Sequence, residues 1–354
     1  MVDPQTSVQR YGVRQLDMEP AAPVPVVAEG ASLLSPHQLE FFNENGFTEG
    51  RPFLTPSGLV WCRSNVDRLI EEMSAGQPER PLADLISPHQ CPGGGWLWQL
   101  IAHPACVAAA QHQIGEDVLC WSSHLLIKEP RSGFDVPWHQ DAPYWNMHPA
   151  SRMAAAVWLA LDDVDEENGT MSVLPGYHRH GALQRVLDTR RYFAQHIDPG
   201  ALPADVEQRQ VTYNMRAGEA ALHHVLLPHS SGANRSDRWR RVIVLRYIAA
   251  DAELGVGEWR DYRGEGAPFP REYFLVGGKD RLGRGYRRSP FEMGEGYTGD
   301  PSVKPVSANM KVIDAEAADG LKWVKVAGAT VRAGSALAQR ATAVDATPSR
   351  DAKL

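Results

Sequence analysis

The spacing of apolar residues changes character after the first third of the chain. Before that point, three segments carry apolar residues at helical spacing. The first, SPHQLEFFNENGF, offers Ser35 as an N-cap, has Pro36 in its first turn and ends at Gly46. Two further helices are predicted over 65–73 and 103–114. The pattern therefore places a helical layer ahead of the rest of the fold.

From Asp117 onward, short apolar runs alternate with turn residues, which is typical of an antiparallel sandwich or barrel. The nine-residue apolar run Met153–Leu161 predicts a strand that is buried on both faces. Asn168-Gly169 is a strong signal for a hairpin turn. The predicted strands are Val118–Lys128, Val136–Asp141, Ala154–Leu161, Thr170–Leu174, Gln210–Tyr213, Ala220–Leu226 and Arg240–Ile248.

The same pattern suggests four regions along the chain. Residues 1–34, rich in Pro, Val and Ala, are expected to form an extended arm. Residues 35–250 are expected to form the main domain, and 251–310 a lid or capping segment. The Ala-rich tail, 311–354, has few large apolar groups, so a loosely attached helix or disorder is expected there.

Composition narrows the possible functions. The 354 residues include 36 basic and 43 acidic side chains, a net charge of −7, which disfavours a general nucleic-acid binder. The longest apolar run is about half the length of a membrane span. No signal peptide is visible, and the four cysteines show no CxxC pair. We therefore expect a cytoplasmic enzyme or binding protein whose partner is a small molecule; the oligomeric state stays open.

The segment WHQD, residues 138–141, places an imidazole and a carboxylate two residues apart. Alternate side chains of a strand share a face, so His139 and Asp141 are expected to point the same way. A histidine from a distant strand would complete the set of two histidines and one carboxylate that binds non-haem Fe(II). The candidates for this third ligand are His223, His224 and His229.

A His-x-Asp pair alone is weak evidence, because a surface histidine beside a solvated aspartate gives the same pattern. The surroundings strengthen the metal hypothesis. Arg240 and Arg241 open the strongly apolar strand VIVLRYIA, and an arginine at the start of a buried strand needs an anionic partner. A dicarboxylate would provide one, and the planar guanidinium matches a carboxylate.

These motifs, in this order, resemble those of the phytanoyl-CoA dioxygenase-like family of Fe(II)/2-oxoglutarate-dependent oxygenases. The matching segments, within residues 35–248, are SPHQLEFFNENGF, WHQDAPYW, VWLALDDVDEENGTMSVLPGYHRHG and GEAALHHVLLPHSSGANRSDRWR. The resemblance implies a mainly β fold with flanking helices, built on a double-stranded β-helix (jelly-roll) core. It also implies Fe(II), with 2-oxoglutarate and O2 as cosubstrates. The expected reaction is hydroxylation of a C–H bond with release of succinate and CO2; desaturation and ring closure are the alternatives.

The resemblance also assigns site residues by position. His139 and Asp141 match the family's His-x-Asp ligands, and His229 matches the distal ligand. Arg240, eleven residues after His229, matches the clamp for the far carboxylate of 2-oxoglutarate. Ser231 matches the turn serine that also binds this cosubstrate.

Further candidates lie around this set. Trp158 and His224 match family residues that line the cosubstrate pocket. Lys128, on the strand before the His-x-Asp segment, is a candidate contact to cosubstrate or substrate, and an exposed edge lysine is the alternative interpretation. The candidate substrate contacts follow the His-x-Asp segment directly: Tyr144, Trp145 and Asn146.

Two functional hypotheses follow. The first is an oxygenase acting on a natural-product intermediate or a modified amino acid. An acyl-CoA is disfavoured, since no basic cluster for its phosphates precedes residue 230. The second is a non-oxygenase metal-binding jelly-roll protein, a sensor or an isomerase, which would need the metal ligands but no clamp. Ser231 and Arg240 favour the first.

Overall fold

The computed structural model describes residues 25–74, 84–86, 88–90, 94–131, 135–144, 149–187, 195–254, 258–259, 269–270, 272–288, 323–326 and 329–332. Five α-helices lie in these ranges: α1 (Pro36–Asn45), α2 (Pro56–Ser74), α3 (Trp98–Ile101), α4 (Pro104–Ile114) and α5 (Val206–Arg209). The strands in the first half are β1 (Arg51–Pro52), β2 (Asp84–Ile86), β3 (Val118–Lys128), β4 (Val136–His139), β5 (Ala156–Ala160) and β6 (Met171–Val173).

The remaining strands are β7 (Arg185–Leu187), β8 (Gln195–Ile197), β9 (Val211–Thr212), β10 (Glu219–His223), β11 (His229–Ser231), β12 (Arg240–Ala249), β13 (Glu258–Trp259), β14 (Phe269–Pro270), β15 (Phe274–Gly277), β16 (Trp323–Val326) and β17 (Ala329–Arg332). Short 3-10 turns connect several of these elements, at Pro88–Gln90, Gly95–Leu97, Ala142–Tyr144, Ala150–Arg152, Tyr177–His180 and Pro199–Ala201.

Two antiparallel sheets form the jelly-roll core. The larger sheet has the order β1-β10-β5-β12-β3-β15, and β2 also pairs with β3. The smaller sheet has the order β4-β11-β6-β9. Three further strand pairs, β7-β8, β13-β14 and β16-β17, lie outside these sheets. The double-stranded β-helix expected from the resemblance is therefore confirmed.

The two faces of the larger sheet bury different partners. Leu159 and Ile243 belong to the same apolar cluster as Leu69 of α2 and Ala109 of α4, so the helices cover the outer face. Side chains one residue out of phase, such as Trp158 of β5, point inward toward the smaller sheet. The strand β5 is buried along its whole length, as its apolar run predicts.

Most predicted helices and strands lie within a few residues of their observed bounds, and one helix begins well before its predicted start. The strand β3 has the predicted bounds, and β12 ends one residue beyond its predicted end. Helix α2 begins at Pro56, nine residues before its predicted start. The hydroxyl of Thr55 accepts the backbone N–H of Gly58 at 2.8 Å and so caps this earlier start. The helix begins with Pro-Ser-Gly, a triplet that is typical of turns, so the sequence pattern did not indicate this earlier start.

The N-terminal segment packs more closely than an extended arm would. Val26 and Val27 are buried, and Val27 forms a β-bridge with Leu54. A side chain at Gly58 would collide with the carbonyl of Val26, because a Cβ built there lies 2.1 Å from that oxygen. The described residues 25–34 thus belong to the main domain, and the rest of the predicted arm lies outside the described residues.

The predicted hairpin at Asn168-Gly169 is wrong, although the turn itself is present. The turn connects β5 of the larger sheet to β6 of the smaller sheet, and these strands do not pair. The buried Asn168 side chain donates to the carbonyl of Asp163 at 2.7 Å and accepts the N–H of Asp165 at 2.9 Å. Gly169 has φ of +72°, the conformation that favours glycine. The turn therefore carries the chain from one sheet to the other.

The larger sheet also extends past the predicted boundary at residue 250. Phe274–Gly277 pairs with the start of β3, so part of the predicted lid is an edge strand of the core. In the Ala-rich tail, 323–326 and 329–332 form a paired two-stranded ribbon, where a helix or disorder was expected. The other residues of the tail, and most of 251–310, lie outside the described residues.

Candidate metal centre and cosubstrate pocket

Two adjacent strands of the smaller sheet bring the predicted ligands together. His139 on β4 and His229 on β11 are directly opposed residues of an antiparallel pair, and their ring centroids lie 4.0 Å apart. Asp141 follows β4 by two residues. One ligand atom from each of the three lies within 4.8 Å of the others, and all three side chains are buried. The sequence spacing and the strand register therefore converge on one set of ligands.

Backbone carbonyls fix the orientation of both imidazoles. Nδ1 of His139 lies 2.9 Å from the carbonyl of Pro137, and Nδ1 of His229 lies 2.9 Å from that of Leu227. A carbonyl can only accept, so each Nδ1 carries the proton and each Nε2 keeps its lone pair. Burial lowers the pKa of both histidines, well below its usual value at His229, which keeps the rings neutral. Two neutral nitrogen ligands thus face Asp141.

Asp141 stays ionised despite its burial. Burial alone would raise its pKa, but the charge of Arg246, a hydrogen bond from His223 and the nearby His229 together hold the pKa well below its ordinary value. Arg246 Nη2 lies 3.4 Å from one carboxylate oxygen, and His223 Nε2 lies 3.5 Å from the same oxygen. The carboxylate is therefore available as an anionic ligand.

A second charged feature lies at the other end of the barrel interior. Lys128 and Arg240 are opposed residues on β3 and β12, and each is only 4% exposed. Lys128 Nζ donates to the hydroxyl of Ser231 at 2.7 Å and to the carbonyl of Gly232. Arg240 Nη1 donates to the carbonyl of Leu126 at 3.2 Å. Within the described ranges, neither cation forms an ion pair with a carboxylate.

The electrostatics of this pair show the cost of its burial. Burial, and then the charge of Arg240, lower the pKa of Lys128 to about 6. Burial lowers the pKa of Arg240 to about 10. In the described part of the chain, Nε of Arg240 has no hydrogen-bond partner. A buried arginine and a buried lysine without an acid beside them are suited to an anion, whose binding would favour the protonated form of Lys128.

Arg241 faces the opposite way. It binds Asp162 at 2.7 Å and also pairs with Asp67 of α2, so its charge is already neutralised. Of the two adjacent arginines, Arg240 therefore points into the barrel, as the resemblance implies.

The donors present fit the groups that the resemblance implies. Two imidazole nitrogens and one carboxylate are the ligand set of non-haem Fe(II) oxygenases, and they leave other positions of the metal open. The acid-free pair of Lys128 and Arg240 suits the far carboxylate of 2-oxoglutarate. Ser231 joins the two features, because it lies two residues after His229 and contacts Lys128.

The prediction for His224 does not fit its position and is corrected. His223 ends β10 on the inner face, whereas His224 packs against Phe42 and His178, with ring centroids 6.2 and 5.0 Å away. Adjacent residues of a strand face opposite sides, so only one of the two histidines can reach the metal centre. Trp158 does line the interior, edge-on to Tyr213 at 5.5 Å.

The candidate substrate contacts fall at the edge of the described region. Tyr144 ends a 3-10 turn, Ala142–Tyr144, directly after Asp141, and its side chain is not described. Trp145 and Asn146 lie outside the described residues. All three remain predictions.

Sequence reasoning missed the partners of Asp141. Arg246 lies six residues after Arg240 in β12, an even separation that places both on the same face, and it is the lone charge inside an apolar run. That combination signals an inward-facing arginine. His223 was considered only as a metal ligand, and its contact with Asp141 depends on where β10 ends.

Comparisons with known proteins agree with this geometry. Residues 42–242, more than half of the chain, match the phytanoyl-CoA dioxygenase (PhyH) family. The chain is 32% identical over 189 residues to a probable alpha-ketoglutarate-dependent hypophosphite dioxygenase of Stutzerimonas stutzeri, covering 49% of this chain and 62% of that protein. It is 29% identical over 165 residues to L-proline trans-4-hydroxylase of Streptomyces griseoviridis, covering 42% of this chain and 61% of that protein. The chain thus spans less than two thirds of these relatives.

Solved structures show the same fold. The apo non-heme monooxygenase ThoJ is 30% identical with a TM-score of 0.55, covering 68% of this chain and 84% of that one. The non-heme alpha-ketoglutarate-dependent carbocyclase SnoK of nogalamycin biosynthesis is 26% identical with a TM-score of 0.52, covering 65% and 89%. Among the described residues, no helix is long and apolar enough to cross a membrane.

The jelly-roll core and the set of two histidines with one aspartate are those of the non-haem iron, 2-oxoglutarate-dependent oxygenases. Within that class, the chain belongs to the phytanoyl-CoA dioxygenase (PhyH) family.

Proposed function

We propose that this protein is an Fe(II)/2-oxoglutarate-dependent dioxygenase that hydroxylates a C–H bond of a small molecule. The observation that carries the proposal is the coexistence, in one barrel, of a His/Asp/His ligand set and a buried pair of basic side chains, Lys128 and Arg240, without an acid. A metal-binding sensor or isomerase would need only the first. Burying the charged guanidinium of Arg240 beside a lysine is costly, and an anion that binds there and favours the protonated form of Lys128 would offset this cost.

The side chains divide the work along the barrel. His139, Asp141 and His229 would hold Fe(II), which when bound supplies the oxidising chemistry with O2 and 2-oxoglutarate. Arg240 and Lys128 would bind the far carboxylate of 2-oxoglutarate, with the hydroxyl of Ser231 between them. This fixes the direction of the cosubstrate, so that its keto-acid end faces the metal. Trp158 closes the inner wall beside this path and helps to exclude water.

The substrate is proposed to be a small natural-product intermediate or a modified amino acid. Support comes from similar proteins, among which are a proline hydroxylase and a carbocyclase of nogalamycin biosynthesis. Tyr144, Trp145 and Asn146 are proposed as substrate contacts because they follow Asp141 directly in the sequence.

The test is succinate formation by the purified protein with Fe(II), 2-oxoglutarate, ascorbate and a library of small metabolites. Substrate-dependent succinate release in the wild type, together with its loss on replacing Fe(II) by Zn(II), supports the proposal. Metal binding without any affinity for 2-oxoglutarate would favour the sensor or isomerase.

A further inference from the structure

The two oxygens of Asp141 have different neighbours. Oδ1 faces His229, with its Nε2 at 3.9 Å. Oδ2 faces Arg246 Nη2 at 3.4 Å and His223 Nε2 at 3.5 Å. The ligand set itself comprises His139, Asp141 and His229, so His223 adjoins this set without belonging to it. The carboxylate thus has a metal-facing side and a side held by two protein donors.

Strand register explains how two distant side chains reach the same oxygen. His223 of β10 is opposed to Ala156 of β5. On the other side of β5, Leu245 is opposed to Val157, so the next pair along this register brings Arg246 beside Ala156. Ala156 is fully buried and has only a methyl side chain. The two long side chains can therefore pass over it and meet at Asp141.

We propose that His223 and Arg246 are positioning residues that hold Oδ2 of Asp141, so that only Oδ1 is offered to the metal. The inference rests on the metal site of the proposed function. A carboxylate can bind an ion through one oxygen or through both, and a second bond would occupy a position needed by cosubstrate or oxygen. The two donors that hold Oδ2 oppose the rotation of the carboxylate that would bring this oxygen onto the metal. They also orient the ligand before the metal arrives, as outer hydrogen bonds to metal ligands commonly do.

The roles of the two donors differ. Arg246 contributes a positive charge, which offsets the cost of burying the carboxylate. His223 fixes the orientation of the carboxylate, because its ring is rigid and only 2% exposed. The contact requires a proton on Nε2 of His223, which leaves this nitrogen without a lone pair for the metal. His223 therefore contacts the ligand Asp141 and does not itself bind the metal through this nitrogen.

The experiment compares Co(II) binding to the full-length wild type and to His223→Phe, His223→Gln and Arg246→Met. Calorimetry gives the affinity, and the visible absorption of bound Co(II) reports its coordination number. His223→Gln keeps an N–H donor and tests rescue. The matched controls are His224→Phe, the neighbouring histidine on the other face, and Arg241→Met, the neighbouring outward arginine. Thermal unfolding verifies that each variant folds.

We expect His223→Phe and Arg246→Met to weaken Co(II) binding by about 10-fold or more, the usual effect of losing an outer partner. Their spectra should shift toward a higher coordination number, whereas His223→Gln and both controls should keep the wild-type spectrum. Unchanged affinity and spectrum in folded His223→Phe would overturn the inference, even if Arg246→Met fails to fold. Failure of the wild type to bind Co(II) would instead refute the metal site of the proposed function.

Discussion

Replacing Arg240 by alanine is the sharpest test of the cosubstrate clamp. The side chain is buried beside Lys128, and it donates a hydrogen bond to the carbonyl of Leu126. If the pair binds the far carboxylate of 2-oxoglutarate, the variant leaves that carboxylate with a single cation. We therefore expect a higher apparent KM for 2-oxoglutarate with little change in metal affinity.

The structure sets the size of the effect. Burial lowers the pKa of Arg240 from its ordinary value to about 10, which corresponds to roughly 3 kcal/mol lost by the charged form. An anion that binds there recovers much of this free energy. Truncating one partner of a buried, hydrogen-bonded charge pair typically costs about 2–5 kcal/mol. Because Lys128 remains, we take the lower part of this range, about 2–3 kcal/mol, or about 30- to 150-fold in KM.

The assay is succinate release at varied 2-oxoglutarate, alongside calorimetric titration of 2-oxoglutarate into Co(II)-loaded protein. Arg241→Ala is the control, since that arginine pairs outward with Asp162. It should lower thermal stability and leave KM within about twofold of the wild-type value, because its charge is paired with Asp162 and Asp67 rather than with the cosubstrate. A change of less than threefold in folded Arg240→Ala would refute the clamp.

Three further predictions concern other parts of the site and the fold. Asp141→Ala should abolish succinate formation and Co(II) binding, and retained tight binding would contradict its role as a ligand. Lys128, whose pKa is about 6, is neutral above that pH in the empty site and must gain a proton when the carboxylate binds. The affinity for 2-oxoglutarate should therefore fall as pH rises from 6 to 8, by at most about tenfold per pH unit, and Lys128→Met should remove this slope in calorimetry. Asn168→Ala should lower the free energy of unfolding by about 2–3 kcal/mol in urea titrations while Co(II) affinity stays unchanged, because its buried amide bonds hold the turn between the sheets.

Much of the β core could be predicted because its signal is local. The apolar run of β5 leaves no polar face for solvent, and β3 and β12 are long enough for their pattern to fix both ends. Which strands pair with each other could not be predicted in the same way. Asn168-Gly169 indicates a turn correctly, but whether two strands then pair or separate into two sheets depends on contacts far away in sequence.

The residues that meet at the candidate metal centre could also be predicted by position, whereas side-chain direction could not always be. The resemblance selected His224, and the structure places His223 inside instead. Both faces of β10 are buried, so hydrophobic alternation cannot show which face is the interior. The contact between Arg246 and Asp141 is likewise invisible in sequence, since it requires the register of β12 against β5.

The site depends on closure of the barrel, because its two halves come from different sheets. The smaller sheet supplies His139 and His229, and the larger sheet supplies Lys128, Arg240 and Arg246. Neither sheet alone brings a cation near the ligands. The turn that holds Asn168 and the Lys128 contact to Ser231 join the two sheets, and the second lies inside the pocket itself. A dicarboxylate that spans from the metal to Arg240 would add a further connection between the sheets, so its binding should stabilise the closed barrel by mass action.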